Sequence, residues 1–156
     1  MCPLKYTGFL YSLISLIYFY TMRLIITNKT ISLPLFINNV AAGFPSPAQD
    51  FIEKQIDLNE LMIKHPAATY LVKVAGDSMV DANINTGDLL IVDSALTAAD
   101  GDIVIAAING EFTVKKLSMY PKVRLVPMND RYTAIEIANK EDLILFGVVT
   151  YIIHKV

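Results

Sequence analysis

The chain has 156 residues, 54% of them hydrophobic and 18% charged, with a formal net charge of −2. That length holds one core plus a tail. A single cysteine (Cys2) and two histidines (His65, His154) exclude a disulfide framework, a Cys/His zinc site and a haem-attachment motif. The near-neutral balance also argues against a strongly basic nucleic-acid binder. The averages conceal a division. Three cations (Lys5, Arg23, Lys29) and no acid precede Asp50, whereas ten cations and fifteen acids lie from Asp50 onward, so residues 1–42 carry +3 and residues 43–156 carry −5.

Residues 6–22 carry no charge and include Phe9, Leu10, Leu13, Ile14, Leu16, Ile17 and Phe19. The stretch is at the short limit for a membrane span, which needs ~20 apolar residues. A signal peptide is a second reading, but no small-x-small site follows, since the exit reads Tyr18-Phe-Tyr-Thr-Met22-Arg23. The preferred expectation is that the working protein starts at Met22, residues 1–21 being an apolar extension from start-site choice. A cytoplasmic protein follows from that reading, with membrane anchoring by residues 6–22 as its rival. Residues 22–45 have strand-like apolar positions, few turns and no acids, and read as an extended or loosely held arm.

Ser46-Pro47-Ala-Gln49 predicts a helix start, with serine as N-cap and proline at the first helical position. Asp57-Leu-Asn-Glu60 repeats the signal ahead of Leu61, Met62 and Ile63, and Pro66 stops that second short helix. From Thr69 the pattern turns to β. Runs at 70–74, 89–92, 103–108, 111–117, 123–126 and 143–153 are rich in β-branched or aromatic residues and are separated by turn residues. Asn109-Gly110 between two of them is the strongest hairpin signal in the chain. Strands this closely spaced, with no long helix between them, predict a mainly β, compact antiparallel domain.

Most catalytic motifs are missing: there is no P-loop, G-x-G-x-x-G, H-E-x-x-H, G-x-S-x-G or S-x-x-K. His65 precedes Pro66 and His154 is two residues from the C-terminus, poor positions for a rigidly held base; both read as surface or capping histidines. What remains is Gly76-Asp77-Ser78-Met79 directly after a strand, and Lys115-Lys116 on another. A serine hydroxyl is a weak nucleophile until a base takes its proton. A lysine is such a base only when its amine is neutral, which burial among apolar groups favours. Alternation puts Lys115 and Lys116 on opposite faces, so at most one points towards Ser78. The residues alone leave open which one.

Gly43-Phe-Pro-Ser-Pro-Ala48, Ala68-Thr-Tyr70, Gly76-Asp-Ser-Met79, Gly87-Asp-Leu-Leu-Ile-Val-Asp-Ser94, Gly101–Ala107, Glu111-Phe-Thr-Val-Lys-Lys-Leu117, Pro127-Met-Asn129 and Phe146-Gly-Val-Val149 together resemble the UmuD family. That family comprises self-cleaving accessory subunits of error-prone DNA polymerases and belongs to the LexA-like peptidases. The resemblance runs from about Leu33 to the C-terminus. It implies a β-clip-like peptidase domain over residues 46–156 and a cleavable arm over 22–45. It also implies Ser78 as nucleophile, Lys115 as base and self-cleavage at Ala42-Gly43. Cys-Gly is frequent at that bond in the family; the alanine here is equally small. Residues 1–21 have no counterpart in the family. The implied partners are a second copy in a homodimer, a UmuC-type DNA polymerase and a RecA–single-stranded DNA filament. No cofactor, metal or direct sequence-specific DNA binding is implied.

Two rivals share parts of this pattern. A LexA-type or phage-type repressor has the same peptidase domain and an Ala-Gly bond, but residues 1–42 show no helix-turn-helix pattern. A type I signal peptidase also pairs Ser-Met with a lysine and has an apolar N-terminal segment. Here Ser78-Met79 is followed by Val-Asp, where that family usually has proline, and Gly43-Phe-Pro-Ser-Pro would have no role.

Overall fold

The structure is a computed structural model that describes residues 32–36 and 52–156, apart from 109 and 139–142. The apolar stretch at 6–22, the helix start at Ser46–Gln49 and the Ala42-Gly43 bond lie outside the described residues. Among the described residues no helix is long and apolar enough to cross a membrane.

Two antiparallel sheets make up the described chain. The smaller pairs β1 (Ser32–Phe36) with β2 (Ile52–Asp57), Ser32 facing Asp57 and Phe36 facing Ile52. The larger has seven strands in the order β3-β4-β9-β5-β6-β7-β8. These are β3 (Thr69–Lys73), β4 (Leu89–Asp93), β5 (Ile103–Ile108), β6 (Glu111–Ser118), β7 (Arg124–Val126), β8 (Ile135–Glu136) and β9 (Leu143–Ile153). The mainly β antiparallel architecture expected from the sequence is the one observed. β5 and β6 form the predicted hairpin, Ile108 facing Glu111, with Gly110 at φ +84°.

Ile52–Asp57 form a strand that the sequence reading did not include. Their residues alternate, Ile52, Lys54 and Ile56 against Glu53, Gln55 and Asp57, which suits a strand once a partner is present. That partner is β1, from the segment read as an extended or loosely held arm. The second helix, α1 (Leu58–Met62), forms as predicted, and the Asp57 side chain accepts a hydrogen bond from the Asn59 N–H at 2.8 Å.

Apolar residues on the sheet's two faces build two clusters. Val74, Met79, Ile84, Leu90, Val92 and Ile105 form the first; Val104, Ala106, Leu117 and Leu125 form the second. Ile105 enters one cluster while its neighbours Val104 and Ala106 enter the other, as period-2 alternation requires. The long strand β9 lies between β4 and β5 and carries a register break against each. Gly147 sits between the two breaks, and a Cβ built there lies 2.8 Å from Val92 Cγ1 and 2.9 Å from the Asp93 carbonyl oxygen. Gly147→Ala is therefore expected to destabilise the domain by about 1–3 kcal/mol, read as a lower urea midpoint with an unchanged m-value.

Candidate active site

Strand β3 is an edge of the seven-stranded sheet. Beyond it, the Val74 N–H donates to the Asp88 carbonyl (2.8 Å) and its carbonyl accepts the Gly87 N–H (3.0 Å). The chain then turns at Gly76, whose φ of +95° lies in the region glycine adopts without a Cβ penalty. Met79 follows at 2% exposure, sunk into the first core cluster. Its carbonyl accepts the N–H groups of Ala82 (3.0 Å) and Ile84 (3.2 Å), winding the short 3-10 turn Val80–Ala82. Ser78 is thus held half-buried between the turn at Gly76 and an anchored methionine.

The other half of the site comes from β6, where Lys115 is 8% exposed and Lys116 is half-buried. Lys115 is the lysine that meets the serine: its Nζ donates to Ser78 Oγ at 2.8 Å, to Thr113 Oγ1 at 2.7 Å and to the Val114 carbonyl at 3.0 Å. Burial lowers the Lys115 pKa below the ordinary lysine value. When neutral, the amine has two N–H groups and one lone pair. Thr113 Oγ1 and the Val114 carbonyl then take the two donors, and the lone pair is left for the Ser78 hydroxyl proton. The arrangement is equipped for serine activation by a lysine base.

A third element, the loop carrying Pro127-Met-Asn129, has no role legible in the sequence. The Met128 N–H donates to the Ser78 carbonyl (2.8 Å), and the Met128 carbonyl accepts the Asp81 N–H (2.8 Å). Asn129 Nδ2 donates to the Asp77 carbonyl at 2.8 Å. Arg131 Nη2 and the Tyr132 hydroxyl both donate to the Asp77 carboxylate, and these contacts, the Tyr132 hydrogen bond foremost, lower its pKa. The one available signal was an asparagine in a turn that carries a motif, and it points to no particular partner.

A cleft of about 210 Å³ adjoins Ser78, with Val72, Val74, Gly76, Phe112 and Val114 among the residues lining it. Phe112 meets Phe146 edge-on, with ring centroids 4.7 Å apart. The two histidines lie elsewhere. His65 Nδ1 is 2.6 Å from Asp93 and His154 Nδ1 is 2.6 Å from Asp88, both carboxylates being buried. Among the described residues no group of three or more His, Cys, Asp or Glu side chains is placed to hold a metal.

A model of the Peptidase S24-like family matches residues 34–150, and the chain belongs to that family. Membership supports a serine-peptidase kind of activity. Within the family the chain is UmuD-like. It is 48% identical over 122 residues to Protein SamA of Salmonella typhimurium, covering 78% of this chain and 85% of SamA. Protein ImpA of Escherichia coli is 47% identical over 122 residues, 78% of this chain and 83% of its own. Protein MucA of Escherichia coli is 44% identical over 121 residues, 77% of this chain and 83% of its own.

Because Thr113 Oγ1 accepts from the ammonium form, its removal disfavours that form. Thr113→Val is expected to lower the Lys115 pKa further, measured by NMR titration of the lysine 13Cε resonance in a Ser78→Ala background. An unchanged or raised midpoint would contradict the assigned hydrogen-bond role.

Proposed function

We propose that this chain is a serine peptidase that cuts its own Ala42-Gly43 bond, with Ser78 as nucleophile and Lys115 as base. The product, residues 43–156, acts in the cytoplasm as a homodimeric accessory subunit of a UmuC-type translesion DNA polymerase, and a RecA–single-stranded DNA filament stimulates the cut. The observation that carries the chemistry is the 2.8 Å contact between a buried lysine amine and a serine hydroxyl beside an apolar cleft.

Neutral Lys115 accepts the Ser78 hydroxyl proton as Oγ bonds to the carbonyl carbon of Ala42. The tetrahedral intermediate collapses by breaking the C–N bond to Gly43, whose amine takes the proton back from Lys115. An ester joins Ala42 to Ser78. Water then attacks this ester, giving its proton to Lys115; Ser78 Oγ leaves, is reprotonated, and the Ala42 carboxylate is freed.

Two features of the fold support a substrate drawn from the protein itself. β1 and β2 pair with Phe36 opposite Ile52, so the bond lies in the connection between two paired strand ends. Such tethering raises the effective concentration of the segment and relaxes the demand for a general substrate pocket. β3, which leads into the Ser78 turn, is a sheet edge among the described residues, and an edge is suited to receive an extended segment by strand addition. Val40-Ala-Ala-Gly43 has the small apolar side chains that such a cleft accepts.

Purified full-length protein incubated with an activated RecA filament is expected to yield a new N-terminus at Gly43 by intact-mass measurement. Ser78→Ala is expected to slow this cut more than about a thousandfold; continued cutting there would refute the nucleophile assignment. A requirement for a membrane and a separate preprotein would instead favour the signal-peptidase reading. The pH dependence has a definite sign. Protonated Lys115 has no lone pair, and burial lowers the pH at which the proton leaves, so cleavage without filament should accelerate from neutral pH towards pH ~10, the ordinary lysine range. A flat profile would remove Lys115 as the base.

A further inference from the structure

We propose that Asn129 is a positioning residue that aims the Ser78 backbone N–H at the oxyanion formed during acyl transfer; this rests on Ser78 being the nucleophile. The Asp77 carbonyl and the Ser78 N–H belong to one planar trans unit and point in opposite directions. Whatever holds that carbonyl also sets the direction of that N–H.

Asn129 holds it. Its Nδ2 donates to the Asp77 carbonyl at 2.8 Å, a closer contact than the 3.4 Å approach of the Val80 N–H to the same oxygen. Asn129 is buried, at 6% exposure, and is itself fixed. Its Oδ1 accepts the Arg131 N–H (3.0 Å) and its carbonyl accepts the Tyr132 N–H (3.1 Å). Arg131 and Tyr132 then reach back to grip the Asp77 carboxylate, so main chain and side chain of Asp77 are held by the same short loop. The next peptide is set likewise, the Ser78 carbonyl accepting the Met128 N–H. On the other side, Gly76 leaves the space around its Cβ position empty, so packing there does not fix the orientation.

The chemistry needs this. As Ser78 Oγ attacks, the substrate carbonyl oxygen gains negative charge, and donors aimed in advance stabilise it without reorganising. The Asn129 side chain bonds to neither Ser78 Oγ nor Lys115 Nζ; it acts through the peptide.

The test compares two reactions at position 78 in the full-length protein. Self-cleavage at alkaline pH passes through an oxyanion. Alkylation of a Ser78→Cys variant by iodoacetamide forms a sulfur–carbon bond, expels iodide and builds no oxyanion. Asn129→Ala is expected to slow cleavage about tenfold to a hundredfold, a part of the ~10²–10³-fold lost when a donor is removed outright. The pH midpoint of cleavage should not move. In the Ser78→Cys background the same change should leave alkylation within about twofold of its parent, read by mass on the peptide containing position 78 so that Cys2 is kept separate. Asn129→Asp retains the shape and the acceptor but loses the amide donor, and should match Asn129→Ala; it decides the matter if the alanine variant does not fold. Undiminished cleavage in the folded variants overturns the proposal, as does a parallel fall in cleavage and alkylation. Failure of the otherwise unaltered protein to cut itself, or cutting by Ser78→Ala, removes the nucleophile reading instead, and this one with it.

Discussion

A lysine amine withdrawn from water against a serine hydroxyl is the constraint around which this domain is arranged. An ionised amine in an apolar setting costs several kcal/mol, whereas a neutral one with its hydrogen bonds met costs far less. The fold meets that condition with groups already on the strand: Thr113, two residues before Lys115 on the same face, and the adjoining Val114 carbonyl. Lys116, one position along, faces the other way and stays more exposed. One step in β-alternation thus separates a buried amine bonded to Ser78 from a more exposed one.

The serine has no strand to hold it, and its position is secured from several directions. Met79 is buried in the core, the turn at 85–88 bonds back to Val74, and the loop at 127–132 takes up the carbonyls of Asp77 and Ser78. The histidines brace the periphery. His154 joins the C-terminal end of the chain to Asp88, whose carboxylate also accepts the Asn85 N–H at 2.8 Å. His65 joins the segment after α1 to Asp93 at the end of β4. Each histidine meets a carboxylate, but the hydroxyl of Ser78 is met by lysine.

Most strands were legible because their signal is local. β5 and β9 occur with the predicted ends, and β4 and β6 each extend one residue further, since β-branched runs between turn residues specify a strand without outside help. The Asp57 cap was legible for the same reason. β2 and β8 were not. Ile52–Asp57 is rich in charged and polar residues and becomes a strand through pairing with β1. Ile135-Glu136 is two residues long and exists as a strand only by lying against Arg124 and Leu125. Pairing across long sequence separations is absent from any local window.

By itself the sequence determined the class of fold, the two candidate residue types and the limit that only one of two adjacent lysines could face the serine. These follow from composition, turn chemistry and period-2 geometry. Resemblance to a family then singled out Lys115. Tertiary structure decided how residues 37 positions apart in the chain come within 2.8 Å, how dry the amine is, and which remote loop holds the serine's peptide planes. The physical reason is that burial and hydrogen-bond partners belong to the folded surface rather than to the residue. A lysine carries the capacity to be a base, and only its surroundings lower its pKa towards that use.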